Sequence, residues 1–166
     1  MKIQKLRRRK NKTDYLKRLK LLKSERPRIV FRRTNKFIIS EYVISEEAKD
    51  KVLFGFDSRK LIGYGWPKEG VGSLKSVTSS YLTGYLTGKI ILKKNLEMPI
   101  LDVGMNRTIY KNKIYSFIKG LIDAGIKMNC EEKFFPEANR MEGKHLKNKI
   151  PFEAIKLEID KKEGKK

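Results

Sequence analysis

Cysteine and histidine occur once each, as Cys130 and His145, in a chain of 166 residues. A lone cysteine excludes an internal disulfide, and the two residues together are too few for a zinc cluster. The single thiol fits a reducing, cytoplasmic setting. No apolar run reaches the roughly 18 residues of a membrane-spanning helix. The basic start is followed by no apolar segment of the secretory kind, so neither a membrane nor export is expected. Acidic residues are also scarce: 19 Asp and Glu face 40 Lys and Arg, for a net charge of +21. That excess opposes compaction unless a polyanion neutralises it. The length suffices for one domain with a buried core and extensions.

The charge is concentrated at one end. Residues 1–36 hold 16 Lys and Arg against only Asp14 and Glu25, a local balance of +14. Residues 2–12, from Lys2 onward, carry almost nothing apolar and read as disordered in isolation. Thr13 is expected to cap a helix that has Asp14 in its first turn. Tyr15, Leu16, Leu19 and Leu22 make one apolar stripe, with Lys17, Arg18, Lys20 and Lys23 largely off it. Ser24 and Pro27 end the helix. Residues 28–33 (RIVFRR) read as a strand and Thr34-Asn35-Lys36 as a hairpin turn. A solvated basic surface is a poor account of so dense a run. A membrane-lying helix is a poor one too, because three turns without Trp or Phe bury little apolar area. Nucleic-acid binding explains it best.

Beyond the turn, residues 37–44 (FIISEYVI) and 52–56 (VLFGF) continue an antiparallel meander. Residues 59–76, with Gly63, Gly65, Gly70 and Gly72 around Tyr64 and Trp66, read as an ordered loop. Trp66 either stacks on a base or plugs the core edge, and the plug is favoured. Residues 77–94 form the long helix, in which Gly84 and Gly88 are expected to let it lie close against the sheet. Residues 98–103 read as a short buried strand and 113–124 as a second helix with Gly125 as its cap. The sum is an α/β fold with a mixed sheet packed by two main helices. A short helix near residues 136–141 and a charged tail, IKLEIDKKEGKK, are expected to dock on a partner or stay mobile. The chain then divides into an arm (1–27), a core (28–130) and an extension (131–166).

Catalytic readings fail on chemistry. Gly84 to Lys89 imitates a phosphate loop, but the spacing is one residue short, Ile90 replaces the hydroxyl residue, and it falls inside a helix. Nothing orients Cys130 and His145 as a dyad. A metal nuclease needs converging carboxylates, whereas Asp57, Asp102 and Asp123 each read as a cap or turn acid. No catalytic residue, metal or cofactor is expected. An RNA-processing or RNA-modifying enzyme that docks through the basic stretch is the alternative.

Together, RRRKNKTDYLKRLKLLKS, PRIVFRRTNK, GYGW, SSYLTGYLTG, LDVGMN and FIKGLIDAGI resemble the universal L-eighteen family of large-subunit ribosomal proteins. The K-T-D-Y form and the R-x-x-G-x-H at Arg140, Gly143 and His145 resemble its archaeal and eukaryotic branch. The resemblance covers most of residues 5–146; the short ending after His145 departs from longer members. It implies a translational-machinery fold, distantly like ribonuclease H without its activity, with a basic N-terminal helical arm. It also implies a non-catalytic structural role in the large ribosomal subunit, anchoring 5S rRNA in the central protuberance against 23S rRNA and the ribosomal protein of the L-five family. No membrane and no small-molecule substrate are implied. The RNA-facing residues it implies are Arg7, Arg8, Arg9, Lys10, Asn11, Lys12, Thr13, Tyr15 and Arg18. Arg28, Arg32, Arg33, Thr34, Asn35 and Lys36 continue that surface across the hairpin.

Overall fold

Residues 28–56 are rich in β-branched and aromatic residues between turns, residues 77–94 and 113–124 have helical periodicity, and the architecture follows that division. A computed structural model describes residues 4–47, 49–67, 74–146 and 149–164. Lys2, Gly70, Gly72, Lys165 and Lys166 lie outside the described residues. Strands β1 (Arg28–Arg33), β2 (Ile38–Glu46) and β3 (Lys49–Asp57) form the meander. Strand β4 (Ile100–Asp102) joins β1 in parallel, giving the order β3-β2-β1-β4. This is the expected mixed sheet. β3 starts earlier than the sequence indicated, because Lys49, Asp50 and Lys51 pair with Glu46, Ser45 and Ile44 and so join the ladder.

Helices α3 (Val77–Lys93) and α4 (Lys113–Asp123) cover one face of the sheet. Ile29, Phe31, Ile38 and Tyr42 point into it, and the rings of Phe31 and Phe117 lie 5.0 Å apart. The glycines of α3 serve a different contact from the one expected. A Cβ on Gly84 would lie 2.3 Å from the Phe117 carbonyl oxygen, and one on Gly120 2.2 Å from that of Tyr81. Gly84 and Gly120 therefore bring two helix backbones together, rather than a helix and a sheet. Ser80 and Ser116 fasten the same seam, donating to the carbonyls of Lys113 and Val77 at 2.6 and 2.8 Å.

Two further elements complete the second core cluster. The glycine-rich loop begins as a 3₁₀ segment, Ser58–Tyr64, and Trp66 beyond it is only 2% exposed, so it plugs the core. Near the C-terminus, a short α5 (Ala138–Met141) precedes α6 (Phe152–Glu163), which lies on α3 with Ile155 and Ile159 fully buried. The tyrosine hydroxyls of Tyr85 and Tyr64 donate to Asp160 and Glu163, both at 2.8 Å. Residues 152–163 of the tail are thus docked on the chain's own core. Lys89 pairs with Asp160 at 2.8 Å inside this contact, so it belongs to the α3–α6 packing and not to a phosphate loop.

Candidate nucleic-acid interface

The basic arm is structured by its few acids and hydroxyls. Helix α1 (Leu6–Arg9) carries Arg7, Arg8 and Arg9, all exposed. Arg7 donates to the Thr13 hydroxyl at 3.0 Å, and Arg8 meets Asp14 at 3.4 Å. Asn11 reverses the chain at φ +49°, a conformation that asparagine tolerates. Helix α2 (Tyr15–Leu22) is then capped by Asp14, which accepts the N–H groups of Leu16 and Lys17. The sequence placed that cap at Thr13; the register is one residue later, and Thr13 holds Arg7 instead. The Lys17 N–H, outweighing the small effect of burial, keeps the Asp14 carboxyl below the ordinary aspartate value.

Helix α2 lies across the sheet face opposite α3 and α4, and it docks through its charged side. Lys17 donates to the Gly104 carbonyl at 3.3 Å, and Arg18 pairs with Asp50 at 2.9 Å. Leu16 and Leu19 of the apolar stripe are 67% and 52% exposed. The residues of α2 turned to the sheet are instead Lys17 and Arg18, which are held by a carbonyl and a carboxylate there. A small polar groove of about 140 Å³ remains between arm and sheet, bordered by Arg7, Lys12, Lys17, Arg32 and Asp102.

Beneath α2 runs an alternating series of charges. Arg28 is 2% exposed and donates to Asp50 and Ser45 at 2.8 Å and to Asp102 at 3.3 Å. Asp102 also accepts Arg32 at 3.5 Å. Arg28 must be removed from the RNA-facing set: its guanidinium is spent inside the protein, between two carboxylates. Arg32 keeps substantial exposure beside the groove, and Arg33, Asn35 and Lys36 are exposed at the hairpin. Thr34 is exposed too, but its hydroxyl donates to the Phe37 carbonyl at 2.8 Å and holds the turn. Tyr15 is half-buried with the Lys5 ammonium 4.7 Å from its ring centre, while Lys10 and Lys12 are exposed. Burial would raise the Asp50 carboxyl, but the Ser45 hydroxyl and the Arg18 and Arg28 guanidiniums prevail and hold it low. Asp50 and Asp102 organise this surface; nothing in sequence spacing marks them, since their partners come from distant segments.

Among the described residues no group of three or more His, Cys, Asp or Glu is placed to hold a metal. No helix is long and apolar enough to cross a membrane, again among the described residues. What remains is an α/β domain whose exposed cations gather on a structured arm and hairpin, the form of a nucleic-acid-binding protein.

Comparison with known proteins defines the family. Residues 1–99 match the family model described as "Ribosomal large subunit proteins 60S L5, and 50S L18". A large ribosomal subunit protein uL18 of Korarchaeum cryptofilum is 39% identical over 140 residues, covering 84% of this chain and 70% of that protein. Proteins of the same description from Methanosphaera stadtmanae and Methanoregula boonei are 37% and 35% identical, covering 87% and 84% of this chain and 73% and 78% of theirs. The chain belongs to the uL18 family of large-subunit ribosomal proteins.

Proposed function

We propose that this protein is a non-catalytic constituent of the large ribosomal subunit that binds 5S rRNA. In this reading it anchors that RNA in the central protuberance against 23S rRNA and the ribosomal protein of the L-five family. We also assign its fold to the ribonuclease H-like type of translational proteins, with which a mixed sheet carrying α3 and α4 on one face agrees. The observation that carries the reading is the arm: Arg7, Arg9, Lys10 and Lys12 are displayed from α1 and the turn after it, tied to α2 by the Arg7–Thr13 and Arg8–Asp14 contacts rather than hanging as a loose tail, while Arg18 fastens α2 to Asp50 of the sheet. Arg32, Arg33, Asn35 and Lys36 continue the display along the hairpin. Folded RNA is recognised mainly through shape and backbone, which suits cations held in a fixed pattern. Guanidinium forks add bidentate phosphate contacts.

The test is a salt titration of the purified protein with 5S rRNA. If ~6–10 phosphates are neutralised, the logarithm of the affinity falls with the logarithm of salt with a slope of that order, reduced in non-duplex regions. A slope near zero would overturn the electrostatic account, and cleavage or modification of the bound RNA would overturn the non-catalytic one.

A further inference from the structure

The two edges of the sheet are built differently. β3 carries Lys49 and Lys51, and its pairing with β2 shifts register at Tyr42 and Val43. Charges and irregular pairing of this kind keep further strands from adding to an edge. β4, at the other edge, has neither. The Ile100 N–H donates to the Pro27 carbonyl at 2.9 Å, on the β1 side. Backbone groups of successive strand residues alternate in direction, so the N–H and C=O of Leu101 point away from β1. No further strand pairs with β4 there among the described residues.

Three residues of strand hold little by themselves, but a groove of about 890 Å³ opens beside them. Ile100 and Leu101 line it together with Tyr115 and Ile118 of α4 and with Met128 and Phe134 beyond that helix. Tyr110 stacks on Phe134 at 4.5 Å and Tyr115 lies 5.5 Å from the same ring, yet none of the three belongs to either core cluster. Tyr110 is 63% exposed, and Met98, just before β4, is 41% exposed. Exposed Tyr, Phe and Met around a groove have the composition of a protein-binding patch. Charge points to the same kind of partner. Residues 95–106 hold no Lys or Arg, although the chain has 40. Arg26 is the one cation lining the groove, and Glu131 lines it too. Lys133, over the Phe134 ring, is paired with Glu131. An RNA strand needs cations for its phosphates. This groove instead matches an uncharged, apolar peptide face.

We propose that β4 and the groove beside it receive an extended segment of a neighbouring protein of the large ribosomal subunit. That segment adds to the sheet as a fifth strand, bonding to the outward N–H and C=O of Leu101 and turning apolar side chains into the groove. The proposal rests on the chain's place in the large subunit and is independent of contact with 5S rRNA. The domain then has a basic side for RNA, at the arm and hairpin, and an uncharged side for protein, at β4.

The experiment places a photo-cross-linking phenylalanine analogue at Met98, at Tyr110 or, as a control, at the exposed Val52 of β3 in the full chain. Each protein is assembled into large ribosomal subunits and the products are mapped by mass spectrometry. Met98 and Tyr110 are expected to cross-link to one continuous stretch of a single partner protein, and Val52 is not. Met128→Lys should lower that product by about tenfold per incorporated chain, because an unpaired cation buried under the segment opposes docking. If Met128→Lys does not fold, the cross-links of the parent still decide. Products with rRNA alone, with a second copy of this chain, or with unrelated proteins at the two positions would overturn the proposal, and so would no product at all. An isolated parent that does not bind 5S rRNA, with the cross-links as expected, would overturn the function proposed above while supporting this surface. Exclusion of the parent from large subunits would end both.

Discussion

Arg18 on α2 and Asp50 on β3 are joined by an ion pair of 2.9 Å, and the second oxygen of the same carboxylate takes Arg28 at 2.8 Å. One aspartate thereby links an exposed helix of the arm to a buried arginine of the sheet. Position and stability of the arm are coupled through that residue, so acids in this basic protein act as fasteners for its cations.

Arg28 and Arg32 should separate fold from binding, although both belong to β1. Arg28→Ala leaves Asp102 and Asp50 without their shared buried partner and should cost about 3–5 kcal/mol, the range for breaking a buried pair. Arg32→Ala should leave the denaturant midpoint nearly unchanged and weaken 5S rRNA binding. Equal loss of stability in the two variants would refute the distinction.

The arm cations should matter locally. Arg7→Ala/Arg8→Ala/Arg9→Ala should weaken rRNA binding severely with little change in melting temperature, since α1 has no buried residue. Binding isotherms beside thermal melts check this. A large fall in melting temperature would show that α1 is part of the core.

Gly84 and Gly120 should tolerate no side chain. Gly84→Ala or Gly120→Ala drives a methyl into backbone of the facing helix and should destabilise by about 1–3 kcal/mol. Gly63→Ala is the control, because a Cβ there meets nothing within 4 Å; surface changes of that kind stay within about 0.5 kcal/mol. Chemical denaturation of the three variants decides it.

Helix α6 should contribute to the fold. Ile155→Ala removes a fully buried side chain from the α3–α6 contact and should cost about 2–5 kcal/mol. The rRNA affinity of the folded fraction should be unchanged. A variant as stable as the parent would mean that the helix is detached in solution.

Acid should loosen the arm and the C-terminal helix. Burial raises Asp50 and Asp160, but hydrogen bonds from Ser45 and Arg18 to the first, and from Lys89 and Tyr85 to the second, leave both below the ordinary value. A carboxyl lowered in the folded state stabilises above its unfolded pKa of about 4, and that contribution is lost as pH falls further. Melting temperature should therefore drop below about pH 4, and less steeply in Asp50→Asn/Asp160→Asn. An unchanged acid limb in that variant would show that other groups govern it.

The sequence by itself determined the order and type of the main elements. Runs of β-branched and aromatic residues beside turn signals marked β1 and β2, long helical periodicity marked α3 and α4, and the crowding of Lys and Arg before residue 37 marked the binding end. Those signals are local, and short-range sterics and solvation write them directly into the chain. Only the tertiary structure decided which arginine is buried, because Arg28 and Arg32 are alike until Asp50 and Asp102 arrive from other strands. It turned α2 charged side inward, where Asp50 and the Gly104 carbonyl take Arg18 and Lys17, and it placed Gly84 against Gly120's helix rather than the sheet. It also folded the charged tail onto α3, where Ile155 and Ile159 find an apolar bed that their lysine-rich surroundings in sequence conceal. Long-range pairing of charge and shape made these choices, and no window of neighbouring residues contains both halves of such a pair.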